Sequence, residues 1–131
     1  MVQLSDKVKE LLDGKNFAHI ATIMKDGSPQ VTAVWIDRDG DTILINTAEG
    51  RVKERNLKRD PRIAISITKE DNPYSGAWIR GKAVEMTADG AVEHIDKLAK
   101  KYTGADKYQG YTPNEKRIII RIEAQHVTER L

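Results

Sequence analysis

Residues 17–67 read FAHIATIMKDGSPQVTAVWIDRDGDTILINTAEGRVKERNLKRDPRIAISI, and this stretch decides the class of fold. Within it FAHIATIM (17–24), QVTAVWI (30–36) and TILIN (42–46) are rich in apolar and β-branched residues. The segments KDGSP and DRDGD between them carry turn chemistry, so three short antiparallel strands are expected in a row. Gly50 to Lys58 then lacks turn residues, places Val52 and Asn56 four apart and runs into Asp60-Pro61, where a helix has to stop. RIAISIT (62–68) returns to a period of two, with Ile63, Ile65 and Ile67 on one face.

Outward from this stretch the same two periods recur. Ser5 can cap a helix whose face is Val8, Leu11 and Leu12 and which Gly14 ends. GAWIRGKAVEM (76–86) alternates Ala77, Ile79, Gly81 and Ala83 with Trp78, Arg80, Lys82 and Val84. DGAVEHIDKLAKKY (89–102) spaces Val92, Ile95, Ala99 and Tyr102 as a helix does, and KRIIIRIEAQHV (116–127) is again a strand. Six strands interrupted by helices at separated places predict a mainly β, α+β fold: an antiparallel barrel, closed or partly closed, with short helices at its edges. Closure would remove exposed strand edges, and the absence of βα alternation argues against a parallel sheet. At 131 residues the chain is read as one domain, 1–131.

Composition narrows the function. The 22 Lys+Arg and 20 Asp+Glu leave a net charge of only +2, so no global field attracts nucleic acid or a membrane. Absence of cysteine excludes disulfides, thiol redox chemistry, iron–sulfur clusters and cysteine zinc sites. The charged N-terminal segment does not resemble a signal peptide and no run approaches the ~20 apolar residues of a spanning helix, so a cytoplasmic protein is expected.

Positive charge is nonetheless concentrated locally. Arg51, Lys53, Arg55, Lys58, Arg59 and Arg62 face only Glu54 and Asp60 between positions 51 and 62. Three readings compete: an ordinary solvated helix, a phosphate site and a nucleic-acid surface. The first is commonest for such a composition, and the third lacks interleaved aromatic residues and any recognised binding motif. The second has a physical basis, because a helix N-terminus offers free N–H groups and Arg and Lys add charge. His19, His94 and His126 are far apart and lack metal-ligand spacing, so no metal is expected. DRDGDT misplaces the glycine of a calcium loop and has Ala48 where its last acid belongs. No phosphate loop, dinucleotide fingerprint or nucleophile elbow is present. Trp78 shares a strand face with Arg80 and Lys82, which suits either a contact between subunits or the wall of a planar cofactor.

The order of these segments resembles a known family. The run from Phe17 to Ile67, with NPY (72–74), IRGKAVEM (79–86), LAKKY and RIIIRIE, is similar to the split-barrel flavin and deazaflavin oxidoreductases related to pyridoxamine 5′-phosphate oxidase. It resembles more narrowly their coenzyme F420 branch. The specific signal is the combination of D-G-x-P-x-V, T-x-x-x-R-x-K-x-x-N-L and D-P-R. The resemblance implies a six-stranded split barrel, a homodimer, and a cofactor at the subunit interface. It implies that Thr47, Arg51 and Lys53 bind the cofactor phosphate, with Asn46 and Ala48 lining the turn. Gln30, Val31 and Thr32 would contact the ring or ribityl chain, and Trp78 and Arg80 would reach it from the partner. The implied activity is hydride transfer from reduced F420 to an unsaturated organic substrate. An FMN-dependent reductase or oxidase and a non-catalytic flavin or deazaflavin carrier remain as alternatives. No catalytic residue is selected; Tyr74, Tyr111 or solvent could supply a proton, and DNPYSG and TGADKYQGYT are expected as loops shaping the substrate pocket.

Overall fold

The computed structural model describes all residues from Met1 to Leu131. Ser5 opens the first helix, α1 (Asp6–Asp13), its hydroxyl accepting from the Val8 N–H at 3.2 Å, and α1 buries Val8, Leu11 and Leu12. The same hydroxyl donates to Glu129 Oε2 at 2.7 Å, tying this cap to the far end of the chain. Replacing Ser5 by Ala is expected to cost about 1 kcal/mol, read as a lower denaturant midpoint. An unchanged midpoint would mean that water substitutes for the cap.

The strands are β1 (Ala18–Ile23), β2 (Pro29–Val34), β3 (Asp37–Asp39), β4 (Thr42–Ala48), β5 (Arg62–Lys69), β6 (Asn72–Thr87) and β7 (Arg117–Arg130). Helix α2 (Val52–Arg59) lies between β4 and β5, and α3 (Ala91–Thr103) between β6 and β7. All strand pairs are antiparallel, in the order β2-β1-β5-β6-β7-β4-β3.

Two expectations are corrected here. The sheet has seven strands rather than six, because DRD pairs with Leu44, Ile43 and Thr42 across a turn at Gly40, where φ is +61°. The sheet is also not closed, since β2 and β3 are its two edges and have no hydrogen-bonded pairing with each other. α2 takes up part of that gap: it leaves the end of β4 and docks on β1. There Asn56 Nδ2 donates to Thr22 Oγ1 at 3.0 Å and Arg59 donates to the Ile23 carbonyl.

A third correction concerns DNPYSG: only Asp71 lies in the turn, and from Asn72 onward the segment belongs to β6. Lys69 pairs with Asn72 and Thr68 with Gly76, so Pro73, Tyr74 and Ser75 bulge from the ladder. Proline is tolerated where no ladder N–H is required.

The isoleucine-rich faces meet in one core. Ile20, Ile43, Ile45, Ile65, Ile67, Ile79, Ile120 and Ile122 are essentially inaccessible, with α1 and Leu57 of α2 packed among them. Each such side chain contributes about 1.5–3 kcal/mol by leaving water. The β6–β7 ladder is bulged twice, with Gln125 of β7 the extra residue opposite Arg80/Gly81 and Val84 of β6 the extra residue opposite Arg121/Ile122, and such extra residues bend the strands that carry them.

Candidate functional site

α2 begins with Arg51 at its N-cap, and the Arg51 side chain makes no capping hydrogen bond. Glu54, three residues on, turns inward instead: it accepts from the Gly50 N–H at 3.1 Å and pairs with Lys58 at 2.7 Å. The first-turn amides are therefore flanked by Arg51 and Lys53, both of which also line two cavities.

One cavity, of about 250 Å³, is walled by Phe17, Trp35, Ile95, Leu98 and Tyr108 and is cationic at Arg51, Lys53 and Arg117. Its aromatic wall is fixed by packing. Trp35 stacks on Tyr102 at 5.4 Å, Tyr108 meets Trp35 edge-on at 5.9 Å, and the Arg117 guanidinium sits 5.1 Å above Tyr108. The second cavity, about 360 Å³, is a polar groove of Gln30, Thr32, Gly50, Val52 and Arg55 that meets the first at Arg51 and Lys53.

These three cations are not equivalent. Arg51 and Arg117 share one oxygen, Glu115 Oε1, whereas Lys53 makes no ion pair and no side-chain hydrogen bond. Burial, followed by the charges of Arg51 and Arg117, holds the Lys53 ammonium below the ordinary lysine range. An unpartnered, partly desolvated ammonium between two guanidinium groups is the electrostatic demand that a phosphate satisfies. A bound anion would raise the proton affinity of Lys53, so anion affinity should fall as pH rises through the Lys53 titration. That decline should begin below the range of an exposed lysine. Lys53→Arg, which keeps its charge, should carry the affinity to higher pH; identical alkaline profiles would remove Lys53 from the site.

Eight of the ten residues expected to bind cofactor are distributed over three places, and Thr47 and Ala48 line none of them. Asn46, Arg51 and Lys53 meet at the first cavity, and Gln30 and Thr32 join Arg51 and Lys53 along the groove. Val31, Trp78 and Arg80 line a separate trough of about 330 Å³ with His19, Ala21 and Ala64, because Val31 points to the face of β2 opposite to Gln30 and Thr32. Thr47 and Ala48 are buried, and the Thr47 hydroxyl has no hydrogen-bond partner. The segment 104–116 is irregular and contributes Tyr108 to the first cavity, while Tyr74 and Tyr111 are exposed and do not line it.

Sequence reasoning missed Arg117, Glu115, His94 and Asp37. Asn46 Oδ1 accepts from Arg117 Nε at 2.9 Å, and Asn46 Nδ2 lies 2.8 Å from the Ala91 carbonyl and 3.1 Å from His94 Nδ1. His94 Nε2 lies 3.0 Å from Asp37 Oδ2, which also receives Lys97 at 3.3 Å. Burial opposes ionisation of Asp37, but bonds from His94 and the Arg38 N–H, with Lys97, outweigh it. The carboxyl is held well below the usual carboxylate range. It is therefore charged at every ordinary pH.

Three solved structures share this arrangement of elements. A protein named F420 reductase is 29% identical, with a TM-score of 0.83 over 97% of this chain and 100% of that one. A Listeria innocua protein provisionally named pyridoxamine 5′-phosphate oxidase is 19% identical, with a TM-score of 0.73 over 95% of each chain. A conserved hypothetical protein of Mycobacterium tuberculosis is 24% identical, with a TM-score of 0.68 over 97% of this chain and 84% of that one. At those last two identities the likeness is one of fold alone. The family model described as pyridoxamine 5′-phosphate oxidase matches residues 4–130, nearly the whole chain, and it is to this family that the chain belongs.

Proposed function

We propose that the protein is an oxidoreductase that binds coenzyme F420 and, with it reduced, transfers a hydride to an unsaturated organic substrate. The observation that carries this reading is Lys53, left without a counter-ion between Arg51 and Arg117 where an aromatic-walled cavity meets a basic groove. The 29% identity to a protein named F420 reductase supports the choice of deazaflavin. The coenzyme would supply the hydride, and the protein supplies binding and orientation.

In this reading Arg51, Lys53 and the first-turn amides of α2 hold the phosphate. The groove running past Gln30 and Thr32 to Arg55 gives a longer anionic tail a cationic path, a feature that FMN does not need. Phe17, Trp35 and Tyr108 exclude water from the apolar end of the cavity. The trough of Val31, Trp78 and Arg80 is assigned to a second copy of the chain, in a homodimer with cofactor near the interface. Half-exposed Val31 and Trp78 over small Ala21 and Ala64 form a surface of the kind that interfaces use. No helix is long and apolar enough to cross a membrane.

The test is a parallel titration of cofactor-free protein with F420 and FMN, following tryptophan fluorescence, with sedimentation to report the oligomeric state. Saturation by F420 and turnover of reduced F420 with an enone, quinone or nitro acceptor support the reading. Preference for FMN moves the chain to the flavin alternative, tight F420 binding without turnover makes it a carrier, and binding of neither overturns the proposal.

A further inference from the structure

We propose that Arg117 is a second anion-binding residue of the cavity and that His94, in its neutral form, is the residue that positions it. The proposal rests on reading the Arg51 and Lys53 corner as an anion site. The hydrogen bonds that run from Arg117 through Asn46 and His94 to Asp37 have a fixed polarity. A guanidinium only donates, so Asn46 must turn its oxygen to Arg117 Nε, at 2.9 Å. The amide nitrogen then faces the Ala91 carbonyl and His94 Nδ1. An amide nitrogen also only donates, so Nδ1 bears a lone pair and the ring proton sits on Nε2, which donates to Asp37 Oδ2 at 3.0 Å. Each bond has one assignment, and the assignment at Asp37 dictates the one at Arg117.

Acid breaks the series at its middle. A proton on Nδ1 sets an N–H against the Asn46 N–H. If the amide turns to offer its oxygen to the ring, its nitrogen meets Arg117 Nε, donor against donor. In the first case the repulsion pushes the amide out of line and in the second it presents a donor, so Arg117 loses the acceptor that aims it and is held by Glu115, through Nη1 at 3.0 Å, and by the Tyr108 ring.

The charged neighbours are few. Asp37 faces the ring from β3, and Asn46 faces it from β4 with Arg117 of β7 beyond. On α3, Lys97 binds Asp37, and Lys101 lies in the field of Asp37 while donating to the Leu12 and Ile36 carbonyls. The second carboxylate is Glu115, on the far side of Arg117. Pure electrostatics would make anion binding tighter when His94 gains a charge. A positioning role makes it weaker, and the sign distinguishes them.

The experiment uses intact ¹⁵N-labelled protein and sulfate, whose charge is constant between about pH 8 and about pH 5, the span in which histidine ordinarily titrates. The Arg117 Nε–H resonance should move with the same midpoint as the His94 ring. Sulfate should perturb that resonance at the upper end, and its affinity should fall roughly fivefold on acidification. In His94→Gln the fall should vanish. An Arg117 signal indifferent to the His94 titration, or sulfate affinity that rises with acid, overturns the proposal, and the wild-type protein alone decides this if the variant does not fold. Failure of F420 and FMN to bind while the sulfate response persists would defeat the cofactor reading and leave this proposal standing.

Discussion

The double variant Arg51→Ala, Lys53→Ala should bind F420, the cofactor proposed above, about 100-fold more weakly and yet unfold at nearly the same denaturant concentration. Hydrogen bonds to charged groups contribute about 1.5–3 kcal/mol each. Two lost together, with Arg117 and the α2 amides still present, leave a deficit of roughly 2.7 kcal/mol, which is the hundredfold. Stability should barely respond, for different reasons at the two positions. Arg51 is half exposed and its bridge to Glu115 is screened by solvent, so its loss should cost no more than about 1 kcal/mol. Lys53 has no partner to lose, and its removal relieves the burial and like-charge repulsion that depress its proton affinity. Cofactor titration beside urea unfolding separates the two quantities. Unchanged affinity in the double variant would reduce the basic segment to a solvated helix.

The largest effect on stability should come from adding one methyl group, in Gly81→Ala. Gly81 sits opposite a β7 bulge at Gln125, where its backbone presses against β7, and a Cβ there would overlap the Glu123 carbonyl, with Ala124 Cα only 3.3 Å away. Both obstacles are main chain in the middle of the sheet and cannot rotate aside as a side chain would. Relief requires the two strands to separate locally, at a cost of about 3 kcal/mol, or roughly 10 °C in melting temperature for a domain of this size. Gly27 and Gly50 are a useful contrast. Nothing lies within 4 Å of a Cβ at either, so substitution there meets only the penalty of positive φ. A Gly81→Ala protein that melts like the wild type would show that the bulge can be redistributed along β7.

Much of the fold was legible because its signals are local. Ser5 and Gly14 bracket α1, Gly27 turns the first hairpin, and the alternating isoleucines of β5 mark a face that the structure buries. What escaped was either very short or very distant. β3 is three residues long, and its Asp-Arg-Asp sequence carries turn chemistry while its ladder partners lie in β4. At the candidate site, Arg51 and Lys53 were visible because a helix start collects adjacent residues. Arg117 was not visible, since the residue that aims it, Asn46, is 71 positions away. One signal was available: His94 falls with Ala91, Ile95 and Leu98 on the buried face of α3, and a histidine on an apolar face needs partners. Which partners is a matter of topology, and spacing along the chain carries no record of it.

The strand order also sets a timetable. β1, β2, β5 and β6 can assemble with one another as the chain emerges, but β4 pairs only with β3 and β7. The β3–β4 hairpin must therefore wait some seventy residues for its second neighbour, the kind of delayed, non-local closure that slows folding. The same late strand delivers Arg117 to Asn46. During synthesis the proposed binding corner is thus completed last, and a nascent chain halted before residue 117 would carry Arg51 and Lys53 without Arg117. Ligand present at that moment would act on the final step of folding, favouring the docked β7 over the open half-sheet.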